Sequence, residues 1–144
     1  MITIPGSMVQ LPARALATRS TRSPAAWKGM HLTVELYRPV EAMRVASSQL
    51  GLVGDWFALG DWIETRSRYQ QVHALPRHGR SPGHASGFLF QTIALLQAGT
   101  IANVGICGPL FDQVGGGLQA EFLDGPFPTF RPIDATWVDY AGHA

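Results

Sequence analysis

Hydrophobic and polar positions alternate cleanly in a few short segments of this chain and nowhere in its first 29 residues. His31–Arg38 sets Leu32, Val34 and Leu36 on one side and predicts the first strand. Pro39 then suits the first position of a helix, with Val40, Met43, Ala46 and Leu50 near one face and Gly51 as its stop. Residues 75–87 carry Pro76, Gly79, Pro82, Gly83 and Gly87 and predict a loop. From Phe88 onward the pattern predicts strands over 88–95, 100–107, 118–123 and 134–140. The gaps between these later runs are too short for helical crossovers, so the strands should pair antiparallel. The expected fold class is α+β: a mostly antiparallel β-sheet with one or two short helices in a single compact domain.

The leading segment changes that picture at one end. Pro5, Gly6, Pro12, Pro24 and the run Thr18-Arg-Ser-Thr-Arg-Ser23 offer no sustained period, so residues 1–29 are expected to form a flexible arm and residues 30–144 the globular domain. The arm carries Arg14, Arg19, Arg22 and Lys28 with no acid, a charge of +4, whereas residues 30–144 carry −3. Basic character therefore belongs to the arm, which argues against a nucleic-acid surface on the body as a whole. The arm is rich in arginine and serine like an organellar transit peptide. It lacks the apolar core of a secretory signal, and a linker from a larger protein fits it as well. No apolar run reaches the length of a membrane span. These features leave the location open, with a cytoplasmic one compatible.

A length of 144 residues, 46% apolar and 15% charged, can bury a core without metal or disulfide help. A lone cysteine, Cys107, excludes an internal disulfide, and its apolar surroundings fit a buried thiol better than a nucleophile. His73, His78 and His84 lack metal-ligand spacing, and no nucleophile elbow, P-loop or dinucleotide fingerprint occurs. Between residues 66 and 84 lie Arg66, Arg68, Arg77 and Arg80 with three histidines and no acid. Arginine forks match phosphate oxygens two at a time, so this cluster is a candidate pyrophosphate holder; a solvated loop explains it equally well. Asp55/Asp61 and Asp134/Asp139 could serve a glycosidase only if folding joined them. Trp56, Phe57 and Trp62 read as packing rather than a base-stacking platform.

The most specific stretch is Cys107–Phe122. Gly115, Gly116 and Gly117 precede a strand in which Leu118, Ala120 and Phe122 face one way and Gln119 and Glu121 the other. Three glycines permit positive φ and leave no Cβ in a ligand's path, and they serve a plain hairpin turn equally. Ala98-Gly-Thr-Ile-Ala102, a short insertion, then Pro109-Leu-Phe-Asp-Gln-Val-Gly-Gly-Gly-Leu-Gln119 resembles the C-terminal motif of the tuberculosis-necrotizing-toxin-like NAD glycohydrolases. This chain has Val114 where that family has proline, Leu110 where it has tryptophan, extra residues 103–108, and no Tyr-His pair before the motif.

The resemblance implies that Gln119 belongs to an NAD-cleaving site. It implies further that Arg66, within Asp55–Arg66, matches a family arginine and that Arg44 matches an earlier one. It also implies NAD as substrate with no permanently bound cofactor, delivery as part of a toxin system, and a cognate inhibitor protein as partner. Water as acceptor gives a glycohydrolase; another acceptor gives ADP-ribosyl transfer. Arg44, Arg68, Arg77, Arg80 and Gly115–Gly117 are then the substrate-binding candidates. A second function stays open: a non-enzymatic β-rich binding or assembly module with an aromatic surface. It is suggested by the Gly54-Asp-Trp and Gly60-Asp-Trp echo and by Phe127, Phe130, Trp137 and Tyr140.

Overall fold

The computed structural model describes residues 1–46, 55–59, 90–108 and 116–132. Within them run ten strands and one 3-10 turn, Pro24–Ala26. Strands β1 (Ile2–Thr3) and β2 (Gln10–Leu11) form a small hairpin. The others are β3 (Ala13–Ala15), β4 (Leu32–Leu36), β5 (Val40–Ala46), β6 (Trp56–Leu59), β7 (Phe90–Leu96), β8 (Ile101–Ile106), β9 (Leu118–Asp124) and β10 (Thr129–Pro132). They build one sheet in the order β10-β7-β5-β6-β9-β8-β4-β3, and every pairing is antiparallel.

Short connections decide the sheet's shape. Strands β7 and β8 stand four places apart in the order, about 19 Å in a flat sheet. Yet they are joined by Gln97–Thr100, a turn closed by the Thr100 amide on the Gln97 carbonyl at 3.1 Å, with Gly99 at φ 89°. The β4–β5 connection, Tyr37–Pro39, is as short, and its end is tied to the same turn. Leu36 N donates to Thr100 O (2.9 Å) and Gly99 N to Leu36 O (2.7 Å). The sheet must therefore curl until β10-β7-β5-β6 and β9-β8-β4-β3 lie against each other, joined edgewise through β6 and β9.

The inner face of the curl is the core. Alternation puts Val34, Ala102, Val104, Ala120, Phe57, Leu59, Ala42, Ala94 and Leu96 there, all buried. Burying each aliphatic side chain of valine size or larger contributes about 1.5–3 kcal/mol. The mostly antiparallel sheet is thus as expected, and among the described residues the only helix is the 3-10 turn Pro24–Ala26.

Two expectations need correction. The helix begun at Pro39 is strand β5. Its seven residues pair with β7 from Val40 opposite Leu96 to Ala46 opposite Phe90, and that long-range ladder outweighs a local 3.6-residue spacing built partly on β-branched valine. Residues 1–29 are not a loose arm. Ile4 is fully buried, Leu11 and Ala13 join the core, and β3 pairs with β4. Short strands broken by Pro5, Gly6 and Pro12 show no period, because each contributes only one or two inward residues. Strand β10 lay outside the sequence expectation too. Pro132 ends it at the edge of the described sheet, where proline is best tolerated in a strand.

Candidate functional site

Gln119 and Glu121 do lie on the face of β9 opposite Ala120, yet that face is covered. Gln119 is 6% exposed and Glu121 is fully buried. Register builds a polar row across three strands, with Thr33 on β4 opposite Asn103 on β8 and Asn103 opposite Glu121 on β9. Gln119 stands two residues along, opposite Gly105 and Ala58.

The cover is the segment Arg19–Trp27. Glu121 Oε1 accepts from Thr21 Oγ1 (2.9 Å) and Asn103 Nδ2 (3.1 Å), while Oε2 accepts from the Arg22 amide (3.0 Å). Asn103 Oδ1 accepts from Thr33 Oγ1 (2.6 Å), and Thr33 Oγ1 in turn accepts from the Arg19 amide (2.8 Å). Gln119 Nε2 donates to the Ala26 carbonyl at 2.7 Å. The Arg22 guanidinium pairs with Asp55, lies 3.7 Å from Glu121, and donates to the Phe122 carbonyl (2.7 Å). Thr33, Asn103 and Glu121 are thus all hydrogen-bonded, as burial requires.

Trp27 fastens the far end of the segment. It is buried, its indole Nε1 donates to Thr21 Oγ1 (2.8 Å), and its ring packs against His31 and Trp56 at centroid distances of 5.3 and 5.7 Å. Two glycines make its seat. A Cβ on Gly105 would come within 3.1 Å of the Trp27 ring, and one on Gly108 within 2.8 Å of the Trp27 carbonyl group.

The glycine run closes the β8–β9 hairpin. Gly116 N donates to Cys107 O (2.8 Å) and Cys107 N to Gly117 O (2.7 Å). Gly116 is exposed with φ 103°, and a Cβ there would meet nothing within 4 Å. Arg44 is half-buried and donates from Nη1 to the Trp56 carbonyl (3.0 Å). Met43 pairs with Ala58, which pairs with Gln119, so alternation sets Arg44 and Gln119 on opposite faces of the sheet. Arg66, Arg68, Arg77, Arg80 and Gly115 lie outside the described residues. So do Trp62, Asp61, the three spaced histidines, the 75–87 loop and the 134–140 strand.

Cys107 is the buried thiol expected of it. Desolvation pushes its pKa up to about 12, away from any nucleophilic role at neutral pH. Among the described residues no group of three His, Cys, Asp or Glu side chains is placed to hold a metal ion. No helix among them is long and apolar enough to cross a membrane. Sequence reasoning passed over Thr33, Asn103 and the Thr21–Arg22 contacts. The trace they left was Asn103 inside the otherwise apolar run Ile101–Ile106.

No family model matches this chain, and no curated protein matches it. A solved structure shares its fold: a chain of "Structure of Tne2 in complex with Tni2" superposes with a TM-score of 0.61 at 16% identity, covering 78% of this chain and 98% of that one.

Proposed function

We propose that this chain is an NAD-cleaving domain of the toxin type, breaking the bond between nicotinamide and ribose. The observation that carries it is Gln119. The residue that ends the glycine motif is a carboxamide on a polar sheet face, three residues after Gly116, which has open space beside it. The fold shared with a chain of the Tne2–Tni2 structure supports the same reading, and a two-protein complex there fits a cognate inhibitor as partner here.

In the reaction the C1′–N bond breaks with its electron pair moving to the nicotinamide ring. The ribose becomes oxocarbenium-like, a water oxygen bonds C1′, and that water loses a proton. The work left to the protein is to hold the ligand and stabilise developing charge. Gln119 would orient a ribose hydroxyl or the water, with Arg66, Arg68, Arg77 and Arg80 as the pyrophosphate contacts. A different acceptor at C1′ turns the same site to ADP-ribosyl transfer.

The test is NAD consumption by purified protein with and without Gln119. Gln119→Ala should lower turnover on the order of a hundredfold or more. It also removes a bond to the Ala26 carbonyl, so a stability loss of about 1 kcal/mol is expected regardless of function. Rates must therefore be compared where both proteins are fully folded. Unchanged turnover there removes Gln119 from the site.

One observation favours the binding-module reading. Phe127 is 61% exposed and packs on Phe122 and Phe130 at 6.1 Å each, an aromatic edge beside β10. Expression inside a host separates the two, because an NAD-consuming domain arrests growth and a binding module does not.

A further inference from the structure

A face that stays covered is cheapest when apolar, because each buried polar group must be matched bond for bond. The outer face of β4, β8 and β9 is built the other way, from a hydroxyl, a carboxamide, a carboxylate and a second carboxamide: Thr33, Asn103, Glu121 and Gln119. All four would be satisfied by water or by a polar ligand as well as by their present partners.

The cover buries little apolar surface of its own apart from Trp27. Residues 17–20, 22, 24 and 25 are exposed, and the 3-10 turn buries none of its residues. From Arg19 to Ala26 the segment is tied to the sheet by hydrogen bonds, with Trp27 as its single buried side chain. Segments with few buried apolar groups open locally well below the cost of global unfolding.

We propose that Arg19–Trp27 is a displaceable strap over a polar ligand-binding row, Thr33–Asn103–Glu121–Gln119, and that the described form is the closed one. The ligand class is a hydroxyl-rich group such as a nucleotide ribose. Glu121 accepts two hydroxyl hydrogens once Thr21 and Arg22 leave, and Asn103 and Gln119 supply amide donors on either side. In the closed form the Ala26 carbonyl holds the Gln119 donor that the ligand would take. The choice of ligand rests on the NAD reading above; the opening of the strap does not.

The strap reverses the usual sign of ligand protection. A ligand that enters a preformed site shields everything around it. Here ADP-ribose must select the open form, so it should speed exchange in the strap. The experiment is amide hydrogen exchange on the full chain, with and without ADP-ribose. The readout amides are Arg22, Lys28 and Gly108, whose acceptors are Glu121, Ile106 and Ala26.

Without ligand these amides should exchange faster than those of Val104 and Ala120 in the sheet. With ADP-ribose they should speed up further while β8 and β9 do not. Thr21→Val removes the hydroxyl that joins Glu121, Trp27 and Ser23, and should raise strap exchange and NAD turnover by about tenfold; Thr21→Ser should restore both. Strap amides that exchange only with the whole sheet, or that ADP-ribose slows, overturn the proposal. A strap that opens in a protein neither consuming NAD nor responding to ADP-ribose leaves the device standing and removes the NAD reading.

Discussion

Replacing Glu121 tests the wiring of the covered face most severely. The carboxylate accepts three bonds of 2.9–3.1 Å and is fully buried, so Glu121→Ala strands the Thr21 hydroxyl, the Arg22 amide and one hydrogen of Asn103. Each hydrogen bond to a charged acceptor is worth about 1.5–3 kcal/mol net, without simple additivity. The ion pair with Arg22 adds little, because that side chain is 52% exposed, the separation is 3.7 Å, and Asp55 remains as its partner. The expected loss is about 3–5 kcal/mol, in the range for breaking a buried charged cluster.

Glu121→Gln is the finer probe. Thr21 Oγ1 already accepts from Trp27 and Ser23, so toward residue 121 it can only donate. Asn103 cannot turn over, because its carbonyl oxygen accepts from Thr33. The new amide oxygen therefore serves Thr21 and Asn103 while its NH2 faces the Arg22 amide, losing one bond at about 1.5–3 kcal/mol. Urea melts of the two variants, with slopes compared to the parent, supply the numbers. If Glu121→Ala costs under about 1 kcal/mol, the carboxylate is water-bound and the sealed row is mistaken.

Three further outcomes follow from burial. Ile4→Ala should cost about 2–5 kcal/mol in a urea melt despite its place near the N-terminus, since Ile4 is fully enclosed by the core; a neutral result would return residues 1–29 to an arm. Thr100 is buried and its Oγ1 has no partner, so Thr100→Val, nearly the same shape, should raise stability by about 1 kcal/mol in thermal melts. Cys107 should resist a thiol reagent in the native state and react at once in urea. Its pKa rises from 9.0 to about 12 on folding, so the folded form holds the proton longer. Its contribution is fully present below pH 9 and is lost as pH climbs toward 12, readable as a falling melting temperature.

Much of the sheet was legible because its strands alternate. Strands β4, β7, β8 and β9 fall within two residues of their expected spans, and the side of Gln119 was right. Its surroundings were not, since a polar face on one strand reads as solvent-facing until its cover is known. Nothing local says that Thr21 and Arg22 reach Glu121, a hundred residues away. Strand β5 was hidden by a coincidence of spacing, since Val40, Met43 and Ala46 repeat every third residue and suit a helix face as readily as a ladder. The Arg44–Gln119 relation was beyond reach as well, because which face a strand turns inward depends on register with partners far along the chain.

The order β10-β7-β5-β6-β9-β8-β4-β3 also constrains how the polypeptide assembles as it is made. Among the described strands, β6 meets the other half of the sheet only through β9, which begins at Leu118. A nascent chain that has emerged as far as Ile106 can pair β3 with β4, β4 with β8, and β5 with both β6 and β7. It has nothing to join the two groups edge to edge. Phe57, Leu59 and Val104 stay open to water until residues 118–124 arrive. The final closure therefore waits on a contact of high sequence separation, from Trp56 to Glu121, whose loop-closure cost comes before its reward. Folding on the ribosome should complete late and all at once, and a truncated chain ending before Leu118 should aggregate through its unpaired β6 and β8 edges.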